Sequence, residues 1–244
     1  MVAAGACVRE ETTHKATGNV LFRQGSIDAA IAEYTKAIAA NPDDAEAWIL
    51  SGNALFERGD GAEAERAFRR ALDLAPSARA ARRGLAKLAM SRGDHASAEK
   101  HLAELLRLHP ADAQGQREHG ALLLGRGDLG GAEQALQRAL TLDPQDAGTL
   151  YLQGRVQARR GRHRQALATC DAVARAAPGR AWADYCRAVA YAQQGSKDAA
   201  LLSLGRAIER GIENADSVRS DEALASLRAD PRFTALLARA HPAR

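Results

Sequence analysis

Apolar residues recur along this chain in paired helical stripes. Between Ala45 and Ala78 the first stripe falls on Ala47, Trp48, Ser51, Leu55 and Phe56, the i, i+3/i+4 rhythm of an amphipathic helix. A second stripe follows on Ala64, Phe68, Ala71 and Leu72. Between them stands Gly59-Asp60. Glycine takes the left-handed conformation that ends a helix at no steric cost. Asp60 is expected to cap the free N–H groups of the second helix. Pro76 bars continuation, and Ser77 is placed to start the next helix.

The same arrangement returns every 34 residues, with turn glycines at Gly25, Gly59, Gly93, Gly127, Gly161 and Gly195. Five residues after each stands Ala30, Ala64, Ala98, Ala132, Ala166 or Ala200. Seventeen after stands Pro42, Pro76, Pro110, Pro144 or Pro178, with Ile212 in the sixth place. The units are 11–44, 45–78, 79–112, 113–146, 147–180 and 181–214. Such self-similarity predicts stacked helix hairpins. Ser26, Asp60, Asp94, Asp128 and Ser196 suit the cap position after the turn glycine; Arg162 does not, which predicts the weakest turn in the fifth unit. Residues 1–10 are expected to be a disordered tail. Residues 215–244 are expected to cap the last unit, with Asp230-Pro231 opening a helix that carries Phe233, Leu236 and Leu237 on one face.

Trp48, Gly52, Leu55, Ala64, Phe68, Ala71 and Pro76 stand where the tetratricopeptide repeat pattern wants them. So do Gly18, Leu21, Ala30, Tyr34, Ala37 and Pro42, and Gly120, Leu123, Ala132, Ala139 and Pro144. The stretch from about Glu11 to Asn214 therefore resembles six tandem tetratricopeptide repeats, and the segment after it resembles an element that follows such repeats in many bacterial proteins. The pattern departs at Arg82 and Ala86 in the third unit and at Ala188 in the sixth. The resemblance implies an all-α fold, a right-handed α-solenoid of antiparallel helix hairpins wound into a superhelix. It also implies a non-catalytic protein-binding scaffold.

Only 4% of the residues are aromatic, so the core is expected to be mainly Ala and Leu. With 34 basic and 30 acidic residues, net charge does not by itself point to nucleic acid or a membrane. No apolar run approaches the ~20 residues of a membrane span. Cys170 and Cys186 are expected to be core thiols and Cys7 a tail thiol, since no spacing suggests a zinc or redox motif. The run VAAGAC ending at Cys7 is similar to the end of a lipoprotein signal. It lacks a basic leader and an apolar run of ~7–15 residues. The chain as written is expected to be cytoplasmic; a start upstream of Met1 would make it an envelope assembly lipoprotein anchored through Cys7.

No catalytic constellation is apparent: the seven histidines are scattered, no Gly-x-Ser-x-Gly setting occurs, and no cofactor, metal or small-molecule substrate is expected. In the resembled family the first helix of each unit lines a concave groove. Helical spacing assigns to it Lys15, Asn19, Phe22, Arg23, Asn53, Phe56, Arg83, Lys87, Arg117, Tyr151, Arg155, Arg159, Trp182 and Tyr185. Cations and rings outnumber the glutamates of this stripe, Glu46 and Glu57, which suggests a protein or peptide ligand with acidic groups and apolar anchors. Lys15, Gly18 and Asn19 match the opening of the carboxylate clamp of co-chaperone members, but Leu50, Ala80 and Gly84 break it. An RNA-binding reading finds no base-reading pairs.

Overall fold

A computed structural model describes the backbone of residues 2–212 and 215–239, with side chains from Thr12 onward. The side chain of Cys7 and the final residues 240–244 of the expected cap lie outside the described residues. The chain forms two compact units, Met1–Ala111 and Asp112–Arg244. The first holds α1 (Val2–Arg23), α2 (Ile27–Ala40), α3 (Ala45–Arg58), α4 (Gly61–Leu74), α5 (Arg79–Ser91) and α6 (His95–Leu108). The second holds α7 (Ala113–Gly125), α8 (Leu129–Leu142), α9 (Ala147–Arg159), α10 (His163–Ala176), α11 (Trp182–Gln194) and α12 (Lys197–Glu209). It then closes with α13 (Ala215–Ser220), a 3-10 helix over Glu222–Leu227, and α14 (Pro231–Leu237). No strand occurs among the described residues. Each unit is a stack of helix hairpins, the all-α solenoid architecture implied by the repeat. α1 takes in residues 2–10, the stretch expected to be a disordered tail.

The six turn glycines all have positive φ, between 73° and 95°. The caps after them depart from expectation. Asp94 and Asp128 accept the amides of Ser97 and Gly131, but Asp60 makes no capping bond. Arg58 takes its carboxylate instead, while also reaching Asp28 at 3.0 Å. Ser26 and Ser196 do not cap either, so the uncapped turn at Arg162 is not set apart from the others. Ser77 does not start the third pair: Ala78 holds the N-cap position of α5. Side-chain capping is strongest at the first helices of pairs, where Asp44, Asp112 and Asp146 accept the amides of Glu46, Gly115 and Thr149.

Helix pairs close over small residues. Phe68 of α4 is 1% exposed, and a methyl group on Gly52 of α3 would lie 2.7 Å from its ring. Gly84 of α5 approaches the same ring more closely still. In the second unit Gly154 of α9 leaves room for Cys186 of α11. Cys186 is bonded to Cys170 of α10, with Cα atoms 5.6 Å apart. The expected core thiols are therefore buried as a disulfide; helix pairing brings together two cysteines whose sequence separation carries no motif. Beyond α12, Val218, Leu224, Leu227, Phe233 and Leu237 join the cluster built on Val189 and Leu204, which covers the apolar face that α11 and α12 would otherwise expose.

Two consequences are measurable. Gly52→Ala is expected to lower the urea midpoint by an amount equivalent to ~1–3 kcal/mol, as overpacking does, because Gly84 blocks the ring's retreat; an unchanged midpoint would show the ring free to move. Asp146 is a second probe. Burial alone would raise its carboxyl pKa, but the hydroxyl and amide of Thr149 and the guanidinium of Arg117 outweigh that and hold it below the usual aspartate value. A depressed folded-state pKa contributes stability above the unfolded value, and that stability is lost as pH falls through the folded one. Asp146→Asn keeps a capping oxygen but loses the charge that Arg117 meets, and is thus expected to cost ~0.2–1 kcal/mol near neutrality, with parent and variant converging in strong acid when their denaturation midpoints are compared.

Candidate functional site

The expected groove residues fall into three groups. In the first unit Phe22, Asn53, Phe56, Arg83 and Lys87 converge on one cavity of about 250 Å³. α1, α3 and α5 bring them together, because equivalent positions of successive first helices lie side by side. Phe68 forms its floor, Gly84 lets that ring approach, and Glu57 stands on the wall. Asn53 and Lys87 are exposed, and Arg83 is half-buried. The cavity thus combines an aromatic base with a polar rim carrying two cations and one carboxylate. Arg23 ends α1, is exposed, and does not line this cavity.

A second group is committed to the fold. Lys15 donates to Asp44 at 2.7 Å and to Glu46 at 2.8 Å. Asn19 accepts the hydroxyl of Tyr34 at 2.9 Å. Arg117 lies 3.0 Å from Asp146, the residue that caps α9. Arg159 donates to the carbonyl of Leu124 at 2.8 Å. Lys15, Arg117 and Arg159 tie one helix pair to the next, and Asn19 ties α1 to α2 within the first pair.

Tyr151, Trp182 and Tyr185 form the third group. They line a largely apolar cavity of about 360 Å³ with Gly148, Ala181, Ile212, Ser217 and Val218. The Tyr151 and Tyr185 ring centroids are 6.3 Å apart. Arg155 stands over Tyr151 and pairs with Asp221 at 2.8 Å, and the Tyr185 hydroxyl also donates to Asp221 at 2.8 Å. Gln193 donates to the carbonyl of Ala223 at 2.7 Å. The segment following α13 therefore occupies this part of the expected groove, and Arg155 is engaged by a carboxylate of its own chain. Burial pushes the Tyr185 phenol well above its ordinary pKa, and Asp221 adds to the shift. Burial would lower the Arg155 pKa, but Tyr151 and Asp221 outweigh it. Both groups keep their neutral-pH protonation states. Asp221 is the residue that repeat spacing could not disclose, because it lies after the last period.

Among the described residues no group of three His, Cys, Asp or Glu side chains could hold a metal ion. No described helix is long and apolar enough to cross a membrane.

Two family models, both described as tetratricopeptide repeat, match the chain, one over residues 15–79, 52–113 and 83–147 and the other over 123–185. No curated protein matches it. Among solved structures, the anaphase-promoting complex hetero-tetramer Cut9-Hcn1 is 19% identical with a TM-score of 0.76; 90% of this chain aligns, spanning 42% of that one. YrrB, described as a TPR protein with an unusual peptide-binding site, is 28% identical with a TM-score of 0.54, and the match covers 80% of this chain and 96% of that one. A tetratricopeptide repeat protein from Parabacteroides merdae is 18% identical with a TM-score of 0.70, covering 88% of this chain and 83% of that one. With matches running from residue 15 to residue 185 over hairpins closed by the 34-residue glycine period, the chain belongs to the tetratricopeptide repeat family.

Proposed function

We propose that the chain is a non-catalytic interaction scaffold that holds a partner's peptide segment on the first unit, and that the segment carries an apolar anchor beside acidic groups. The observation that supports this most directly is the cavity gathering Phe22 and Phe56 under Asn53, Arg83 and Lys87. An aromatic base offers apolar area at small entropic cost, and cations at the rim give charge-assisted bonds to a carboxylate. A preformed cavity on stacked helices needs little ordering when the ligand enters. The likeness to YrrB, whose description names a peptide-binding site, agrees with this reading. Lys15 and Arg117 are left out of the ligand-binding set, because they line neither cavity.

A photo-crosslinking residue in place of the exposed Asn53, expressed in the native cell, tests the site. A discrete protein adduct is expected. Adding Lys87→Glu is expected to reduce its yield at least ~10-fold, the loss of about 1.4 kcal/mol of binding, with far-UV circular dichroism unchanged. Equal yields with and without the charge reversal would remove the cavity from the binding site.

One observation favours a second reading, an envelope assembly protein held through Cys7 and made from a start upstream of Met1. The Cys170–Cys186 disulfide is a bond that persists in oxidising compartments and is rare in the cytosol. Alkylation of the native protein before reduction, followed by peptide mass spectrometry, is expected to find Cys170 and Cys186 unmodified and linked. Two alkylated thiols would overturn this reading and leave the first untouched.

A further inference from the structure

The cavity of the second unit has a chemistry of its own. Three rings face it: Tyr151 from α9, and Trp182 and Tyr185 from α11. Ile212 and Val218 complete an apolar wall. Trp182 is 42% exposed, so the box opens to solvent along its indole. A box of rings would ordinarily attract a cation to the ring faces. Here guanidinium groups already stand over two of those rings. Arg155 lies 5.7 Å from the Tyr151 centroid and Arg180 lies 5.7 Å from the Trp182 centroid. The nearby carboxylate, Asp221, is engaged by Arg155 and by the Tyr185 hydroxyl, so it is not positioned to neutralise a third cation. Arg180 is exposed and stands at the Trp182 edge of the site.

We propose that this cavity binds an apolar or aromatic side chain with an adjacent carboxylate on the same partner segment: the side chain fills the box and the carboxylate meets Arg180. The pairings explain both halves of the selectivity. Arg180 at the rim repels a ligand ammonium and attracts a ligand carboxylate, while Arg155, already paired with Asp221, stands over Tyr151 and denies that ring face to a second cation. At about 360 Å³ the cavity accommodates one large side chain with part of its backbone. The bond from Tyr185 to Asp221 and the stacking of Arg155 on Tyr151 hold two walls in place before any ligand arrives. Binding therefore costs little rearrangement.

This proposal rests on the reading of the chain as a binder of partner segments, yet it is tested without the partner. The chain has two tryptophans, Trp48 and Trp182, so a Trp48→Phe background leaves Trp182 as the reporter. Phenylacetate, phenethylammonium and benzyl alcohol present one ring with negative, positive and no charge. A saturable Trp182 fluorescence change is expected with phenylacetate, binding roughly fivefold tighter than phenethylammonium. Arg180→Ala, at an exposed position, is expected to bring that ratio to about one while leaving benzyl alcohol unaffected. Trp182→Ala, followed by saturation-transfer NMR of the probe, is expected to abolish phenylacetate binding. No saturable change, equal binding of the two ions in the parent, or selectivity that survives Arg180→Ala would overturn the proposal. Failure here with Asn53 crosslinking intact would remove only this second cavity. The reverse pattern would remove the first-unit site and leave this one standing.

Discussion

The structure depends on how closely two helices can approach, and the residue that sets this in the first unit is Phe68. Its ring is 1% exposed and lies against both Gly52 and Gly84. Side chains at either glycine would push the helices apart. The same ring forms the floor of the first-unit cavity, so the packing that binds α3, α4 and α5 together also shapes the candidate binding surface. Site and core are not separable there: a change in how closely the helices approach would alter the depth of the cavity. Because interiors are close-packed, the shift cannot be absorbed locally.

Period and turns were legible because they are local. A left-handed φ at each of Gly25, Gly59, Gly93, Gly127, Gly161 and Gly195 follows from a glycine standing where one helical stripe ends and the next begins. The capping role of Asp60 was not, since a side-chain oxygen has more than one donor in reach, and Arg58 took it. The disulfide was equally hidden. Cys170 and Cys186 meet only because α10 and α11 pack together, and sixteen residues of separation encode no motif. Asp221 lies outside the period, so no register argument could assign it to Arg155 and Tyr185.

The cations assigned to the groove show why spacing cannot give a side chain its role. Lys15 pairs with Asp44, and Arg117 with Asp146; each carboxylate stands 29 residues after its cation and caps the first helix of the next pair. One aspartate thus does two jobs, accepting an amide at the helix start and a charged side chain from the preceding pair. Helical spacing assigns Lys15 and Arg117 a face of their helices. It cannot show that the adjoining pair brings an acid to the same place. An apparent excess of positive charge in the sequence is therefore partly consumed in joining repeats.

The chemistry that lines the cavity differs between the units. In the first, Lys87 is exposed over an aromatic base, and the cavity presents polar and apolar chemistry together. In the second, the chain's own C-terminal segment delivers Asp221 to Arg155, and the site becomes rings flanked by arginines. That segment is not a loosely held substitute for a ligand. Leu224 and Leu227 are fully buried, and exposing side chains of that kind costs ~1.5–3 kcal/mol each. The cap is therefore a fixed wall, and the chemistry of the second cavity is set when the chain folds, independently of any partner.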